Sequence, residues 1–200
     1  MDILGFIASF ALLIIAMTVH EFAHGWVAYK LGDPTAKYLG RLTLNPLAHI
    51  DLLGTIIMPL MLFIATSGRF VFGAAKPVPI DYRALRNPKR DIIWIGISGP
   101  LANFIFAFLL SILIRFIPLA LFAHLILINV VLGVFNLLPI PPLDGSRIVE
   151  GLLPLNLAYR YMRIEPYGFI ILMALIWLGA LDFLIWPTVI LIIRLLGINI

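Results

Sequence analysis

The sequence predicts an all-α, polytopic membrane protein: a helix bundle with short extended or re-entrant, β-like segments close to its functional site. Of its 200 residues, 62% are hydrophobic and only 12% are charged, which is well outside the range of soluble globular domains. Apolar runs long enough to cross a bilayer alternate with short polar connections, and no polar stretch is long enough to form a soluble module. We therefore expect one membrane-embedded domain over 1–200, with a core at 3–150.

The first half of the chain holds one long helix and a shorter apolar run. An apolar run predicts helix 1 at about 3–30, and Gly32-Asp33-Pro34 supplies its stop signal. Residues 37–47 alternate in polarity and carry β-branched side chains, which favours a short extended hairpin or a loop. A second apolar run at 52–66 contains Pro59, a residue type that interrupts helical hydrogen bonding.

The second half alternates apolar helices with proline-rich connections. Within 69–90, Pro77 and Pro79 favour an extended backbone. The last apolar stretch is expected to break near Trp186-Pro187. The predicted apolar elements of this half are helix 3 at about 91–115, helix 4 at about 119–138 and a C-terminal helical stretch at 167–197.

Charge and cysteine content restrict the partners and the metal ligands. The net charge of +4 is modest. Eleven of the fourteen Lys and Arg lie in three connections: three in 30–41, five in 76–90 and three in 147–163. By the positive-inside rule these connections lie in the cytoplasm and the N-terminus lies outside. The basic residues thus indicate membrane topology and lipid contact, with no nucleic-acid partner. Because the chain has no cysteine, a bound metal must use His, Asp or Glu.

Helix 1 carries an unusual group of ionisable residues, His20-Glu21-Phe22-Ala23-His24. Ionisable side chains are costly inside a membrane span and indicate a functional site there. Positions i and i+4 share one face of a helix, so both imidazoles can reach one Zn²⁺, while Glu21 lies beside the open coordination position as a general base. The pattern therefore predicts a metal site within the membrane.

A zinc site of this kind needs a third protein ligand. His49 and His124 lie near the starts of apolar runs and are expected to be interfacial rather than ligating. Asp144 follows a proline-rich turn and precedes a glycine, so its backbone is irregular, which is tolerated at membrane depth only inside protein or beside a cavity. On the residues alone, Asp144 is either a ligand or the cap of a helix near 145–153.

Three motifs together resemble the site-2 protease family of intramembrane zinc metalloproteases, and the resemblance covers about 3–150. Two shorter motifs, GDPTA (32–36) and AKPVP (75–79), are similar to the compact prokaryotic branch of that family, which has its HExxH motif in the first helix. The 200 residues show no PDZ-like or nucleotide-sensing module of the kind that regulates larger members. The three main motifs are HEFAH (20–24), SGPLANF (98–104) and NLLPIPPLDG (136–145).

The resemblance implies an enzyme, a zinc metalloendopeptidase with one Zn²⁺ per chain that cleaves a peptide bond in or near a transmembrane segment. Its partners would be a membrane protein or peptide substrate and the lipid bilayer. Its location would be a prokaryotic cell membrane, with the active site toward the cytoplasm. The residue roles that it implies are zinc ligation by His20, His24 and Asp144, acid–base catalysis by Glu21, and substrate or oxyanion binding by Asn103 and Asn136.

The ligand positions also constrain the topology. His20 and His24 lie toward the C-terminal end of helix 1 and Asp144 lies just beyond the end of helix 4, so these two helices must run in the same direction. Helix 3 already makes one crossing between them. We therefore predict that 52–66 enters the membrane and that 69–80 returns as an extended re-entrant segment. The AKPVP motif in that segment is either an edge that pairs with an unfolded substrate strand or a rigid connector.

Two other interpretations stay open on the sequence. One is a membrane zinc peptidase of a different type, whose third ligand is a glutamate, either Glu150 or Glu165. The other is a metal transporter in which His20, His24 and Asp182 form a relay. Helices 3 and 4 carry almost no ionisable residues for such a path, which disfavours transport.

Overall fold

The described part of the chain, residues 3–65 and 75–198 of a computed structural model, is built of helices and contains no β-strand. The predicted all-α class is therefore confirmed over these residues. The α-helices of these two ranges are α1 Ile3–Leu31, α2 Thr35–Tyr38, α3 Met58–Ala65, α4 Pro88–Leu113, α5 Ala120–Asn136, α6 Asp144–Leu152, α7 Leu155–Met162, α8 Gly168–Trp177 and α9 Ala180–Leu195.

Helix α4 lies at the centre of the bundle. It packs against α1, α5 and α6, while α5 also packs against α1 and α9. Buried aliphatic side chains of α4, α5 and α9 form the main core, among them Leu110, Ile126 and Val189. The N-terminal end of α6 lies directly on α4, where the absence of a side chain at Gly96 leaves room for the backbone of Asp144. Helices α1 and α6 thus both pack against α4.

Two helices of the described residues, α1 and α4, are long and apolar enough to cross a bilayer. A third candidate is the stretch 155–195, which bends by 80° between α8 and α9. Helix α5 is apolar but has only 17 residues. Together with the composition, these helices indicate a membrane protein.

Helix α1 ends where the sequence predicts. Gly32 adopts a positive φ of 117°, a conformation that suits glycine because it has no Cβ. The buried carboxylate of Asp33 then accepts hydrogen bonds from the backbone N–H of Thr35 (2.9 Å) and of Asp81 (2.8 Å). The loop after α1 is thereby tied to a segment 48 residues later in the sequence.

The extended hairpin predicted at 37–47 is not formed, and the loop alternative is correct. After α2, residues Pro46–His49 form a 3₁₀ turn, and the side chain of Asn45 accepts a hydrogen bond from the Leu47 N–H (3.1 Å). Local side-chain-to-backbone bonds of this kind compete with strand pairing. The predicted β-like segments are therefore not seen in the described residues, and 75–80 is irregular.

The second apolar run extends along α1 toward its N-terminal end. It begins as a π-helical turn, Leu52–Ile57, and continues as α3. The ring of Phe63 on α3 lies 4.5 Å from the ring of Phe6, near the start of α1. Because an α-helix rises 1.5 Å per residue, Phe6 is about 22 Å from Glu21 along the axis of α1. Residues 66 and 69–74 of the predicted re-entrant region lie outside the described residues.

The C-terminal stretch breaks at a different place from the one predicted. The break lies at Leu178-Gly179, where Gly179 has a positive φ of 68° and follows the end of α8. Pro187, the predicted break, lies inside α9. A proline inside a membrane helix is tolerated when packing supports the helix around it, and its neighbours Ile185 and Val189 are buried in the core.

Candidate metal centre

Three of the predicted site residues meet in one buried cluster. The Nε2 atom of His20 lies 2.9 Å from Oδ2 of Asp144, and the Nε2 atom of His24 lies 3.1 Å from the same oxygen. The two Nε2 atoms are 3.0 Å apart. Side chains 120 residues apart in the sequence therefore point one donor atom each at a common position.

Helix geometry and one glycine explain why these side chains converge. His20 and His24 occupy i and i+4 of α1, and Asp144 is the first residue of α6. A side chain at Gly145 would overlap the carbonyl groups of Leu137 and Leu138, so the turn before α6 can close only with glycine there. The carboxylate of Asp144 faces the two histidine Nε2 atoms and has no other polar partner in the described residues, which leaves the cap alternative without support.

The other ring nitrogens decide which histidine atoms are free to bind a metal. Nδ1 of His20 lies 2.6 Å from Oδ1 of Asn103, and Nδ1 of His24 lies 2.7 Å from the carbonyl oxygen of Ile95. A carbonyl oxygen can only accept, so each Nδ1 carries the proton and each neutral ring presents a lone pair at Nε2. Two such lone pairs and a carboxylate oxygen about 3 Å apart repel one another unless a cation lies among them.

The donor set fits zinc. Two imidazoles and one carboxylate are a common protein ligand set for catalytic Zn²⁺, which keeps its fourth position open. The donor separations of 2.9–3.1 Å are slightly shorter than the roughly 3.3 Å expected between ligands at 2.0–2.1 Å from a tetrahedral Zn²⁺. Small rotations of the three side chains would accommodate the ion.

Asn103 lies behind His20 in a fully buried chain of amides. Its Nδ2 donates to the Asn129 side-chain oxygen (2.7 Å) and to the Ala16 carbonyl oxygen (3.2 Å). Asn129 in turn donates to the Leu125 carbonyl oxygen (2.8 Å). Sequence reasoning missed Asn129, although a polar side chain in the middle of an apolar helix is a recognisable sign of helix–helix hydrogen bonding.

The remaining candidates lie apart from the cluster. Asn136 is half-buried at the end of α5, and its amide donates to the Leu132 carbonyl oxygen (3.0 Å), so its role stays a prediction. His49 is buried in the 3₁₀ turn and donates from Nε2 to the Thr43 carbonyl oxygen (2.9 Å). The exposed His124 bonds within α5. Within the described residues, none of these side chains joins the group that could hold a metal.

The first helix also brings Glu21 beside the irregular segment 75–80. The backbone N–H of Val78 donates to Oε2 of Glu21 over 2.7 Å. Glu21 is half-buried, in contrast to the fully buried histidines on either side of it. The structure therefore places the predicted base next to the AKPVP motif.

Gly99 forms the floor of the cluster on α4. A Cβ at this position would lie 2.5 Å from Nε2 of His24 and 2.6 Å from Nε2 of His20. These are the two atoms that face the metal position, so any side chain at residue 99 displaces them. The glycine of the SGPLANF motif is thus explained by the space that the imidazoles occupy.

We expect Gly99→Ala to lower zinc affinity about 10- to 100-fold, as disturbed outer-shell contacts do in other sites. The added methyl group must push both imidazoles away from Asp144. Zinc content after dialysis against graded chelator measures the effect. The matched control is Leu101→Ala on the exposed side of the same helix, which should bind zinc like the wild type. Equal zinc affinity in both variants would contradict the assigned metal position.

Comparisons with known proteins agree with this chemistry. Residues 114–179, which include Asp144, match the model of "Peptidase family M50". "Putative zinc metalloprotease YwhC" of Bacillus subtilis is 39% identical over 189 residues, which cover 88% of this chain and 82% of that protein. "Putative zinc metalloprotease Rip2" of Mycolicibacterium smegmatis is 31% identical over 190 residues, covering 90% and 71%. "Zinc metalloprotease MJ0392" of Methanocaldococcus jannaschii is 28% identical over 159 residues, covering 77% and 36%. No solved structure matches the chain.

Proposed function

Because the chain belongs to peptidase family M50, the site-2 protease family, and is thus a zinc metalloprotease, we propose that it cleaves a peptide bond in or near a transmembrane segment of a membrane protein. The observation that carries this proposal is the meeting of His20, His24 and Asp144 inside the helix bundle. Both histidines belong to a helix that can cross a bilayer, which supports a site at membrane depth. A peptide bond that reaches it must come from a chain within the membrane.

The proposed roles follow from the contacts. His20, His24 and Asp144 hold the zinc, which when bound acts as a Lewis acid and lowers the pKa of water. Glu21 takes the proton of the attacking water and later delivers it to the leaving amine. Only Oε2 of Glu21 has a hydrogen bond within the described residues, so Oε1 is available for this transfer.

The two asparagines receive different assignments. Asn103 was expected to bind substrate, but its amide group already donates twice inside the bundle, and we assign it to the orientation of His20. Asn136 stays the candidate for substrate binding. Its side-chain oxygen accepts no hydrogen bond within the described residues, and it lies at the end of α5 that leads to Asp144.

We also propose a multi-pass topology for a single domain over 1–200, in which 52–80 makes no net crossing. Two contacts support it: Phe63 lies against Phe6 near the start of α1, whereas Val78 lies against Glu21, about 22 Å further along the same helix. Residues 63 and 78 therefore contact α1 at positions about 22 Å apart, as a segment without a net crossing requires. The basic connections support an orientation in which the zinc end of α1 lies toward the cytoplasm of a prokaryotic cell.

This topology predicts that single cysteines at Arg86 and Arg160 react from the same, cytoplasmic side. The native chain has no cysteine, so each variant carries one reactive thiol. Labelling with an impermeant maleimide in right-side-out and inverted vesicles makes the measurement, and Arg115→Cys, on the opposite side, is the control. If position 86 reacts from outside and position 160 from inside, then 52–66 is an ordinary span and the topology is wrong.

The substrate class is tested by comparing membrane fractions from a strain with the wild-type protein and a strain with Glu21→Gln. Without cleavage, we expect membrane-anchored fragments to accumulate in the Glu21→Gln strain while their shortened products disappear. Quantitative proteomics of peptides within and beside transmembrane segments identifies them. Identical fragment patterns in the two strains would contradict intramembrane proteolysis.

The two alternative interpretations, a glutamate third ligand and a metal transporter, gain no support from the structure. Glu150, Glu165 and Asp182 lie outside the metal-binding group of the described residues.

A further inference from the structure

The carboxylate of Glu21 is held by a backbone group from a distant part of the chain. Its Oε2 atom accepts the Val78 N–H over 2.7 Å, and this is its only hydrogen bond within the described residues. The contact joins α1 to residues 76–81, which we call the strap. The strap belongs to neither the zinc ligands nor the helix bundle, and the catalytic roles assigned above leave it without a function.

Further hydrogen bonds fix the strap at both of its ends. The Lys76 N–H donates to the His49 carbonyl oxygen (2.9 Å), and the Arg41 guanidinium donates from Nη2 to the Lys76 carbonyl oxygen (2.7 Å). At the other end, the Asp81 N–H donates to the buried Asp33 (2.8 Å). Proline on both sides of Val78 restricts the backbone further. The position of a single N–H group is thus set from both ends.

The face of α1 beside Glu21 is shaped to receive the strap. The side chain of Val78 is buried, with 6% of its surface exposed. It packs on Gly25, where an added Cβ would lie 3.1 Å from Cγ1 of Val78. Gly25 is one helical turn after Glu21 and shares its face. A larger residue at position 25 would hold the strap away from the carboxylate.

We propose that Val78 is a positioning residue for the catalytic base: its backbone N–H fixes Oε2 of Glu21, so that Oε1 points at the water to be deprotonated. The inference rests on the proposed function, because it gives Glu21 the role of base. A carboxylate on a half-exposed helix face otherwise samples several rotamers. Holding one oxygen removes that freedom before substrate arrives, which is how preorganised groups raise rate rather than affinity.

The first test removes this one N–H group. Replacement of Val78 by the α-hydroxy acid with the same side chain, 2-hydroxyisovaleric acid, converts the Pro77–Val78 amide to an ester and removes the N–H group. We expect kcat to fall about 10- to 100-fold, while KM changes less than about twofold and zinc content is unchanged. The matched control is the corresponding ester at Ile80, whose N–H makes no hydrogen bond within the described residues and whose replacement should leave kcat near the wild-type value.

The second test needs neither substrate nor metal. Since Pro77 and Pro79 have no amide hydrogen, Val78 carries the only exchangeable backbone amide in 77–79. In metal-free protein, we expect hydrogen–deuterium exchange at Val78 to be about tenfold or more faster in Glu21→Ala than in the wild type, because a charged acceptor is lost. The Lys76 amide, which bonds to His49, should exchange equally in both.

The outcomes separate the inference from the proposed function. Equal exchange at Val78 in wild type and Glu21→Ala, or an unchanged kcat in the Val78 ester, would overturn the positioning role even in an active protease. A lower KM with unchanged kcat in the ester would also overturn it, because the amide would then compete with substrate. Faster exchange at Val78 in Glu21→Ala, together with a wild-type protein that cleaves no transmembrane peptide, would leave the contact supported and the proposed function refuted.

Discussion

Glu21→Gln should lower the cleavage rate by about 10²–10⁴, the range that a positioned general base contributes, and should leave one zinc per chain in place. The amide oxygen of glutamine can still accept the Val78 N–H, so the local structure is retained. The amide cannot take a proton from water, however. The measurement is kcat on a cleavable transmembrane peptide in detergent or liposomes, together with zinc content by elemental analysis.

Two other carboxylates near the active-site region serve as controls for Glu21. Glu150 lies on α6 and Glu165 on the turn before α8, and both line a cavity between α4, α6 and α7. Substitution of either by glutamine should keep most of the activity and all of the zinc. Activity above a tenth of the wild-type value in Glu21→Gln would remove its role as the base.

Alanine at any one of His20, His24 or Asp144 should reduce zinc content to less than about a tenth of one ion per chain and abolish cleavage. Each of these side chains contributes one of three converging donor atoms, and two protein ligands hold Zn²⁺ weakly. Zinc content after gel filtration in a weak chelator is the readout. Full zinc content in Asp144→Ala would remove the proposed third ligand.

The remaining histidines provide matched controls for this loss. His49→Ala and His124→Ala remove imidazoles of the same chemistry that bond to backbone carbonyl oxygens away from the cluster. Both variants should keep full zinc. The same series tests the glutamate alternative. A zinc loss in Glu150→Gln comparable to that in Asp144→Ala would indicate that Glu150 is a zinc ligand.

Most helices and the two converging imidazoles follow from the sequence because strong local signals specify them. Long apolar runs predicted the ends of the long helices to within a few residues. Helix α1, for example, was predicted at 3–30 and is observed at Ile3–Leu31. The HEFAH motif needs only helical spacing to place two imidazoles on one face. Asp144 was harder, since its partner residues are 120 or more positions away, and on the residues alone a helix cap was a reasonable alternative.

Features that depend on tertiary contacts were predicted less well. The hairpin at 37–47 looked plausible from alternation, yet local bonds such as that of Asn45 decide the backbone there. The bend near residue 179 depends on one glycine in an apolar stretch, where a proline eight residues later is the more visible signal. Asn129 and the contact between Val78 and Glu21 could not be read from periodicity, because each pairs residues of separate elements.

The separation of the zinc ligands along the chain has a consequence for biosynthesis. At about 5–20 residues per second, a ribosome makes Asp144 roughly 6–24 s after His24. During that interval α1 enters the membrane with its histidines and Glu21 lacking the partners that α4, the strap and α6 later provide. The nascent chain therefore holds an incomplete catalytic centre until nearly three quarters of it has been translated. The zinc site therefore cannot form before α6 has been translated, although α7, α8 and α9 are still to follow.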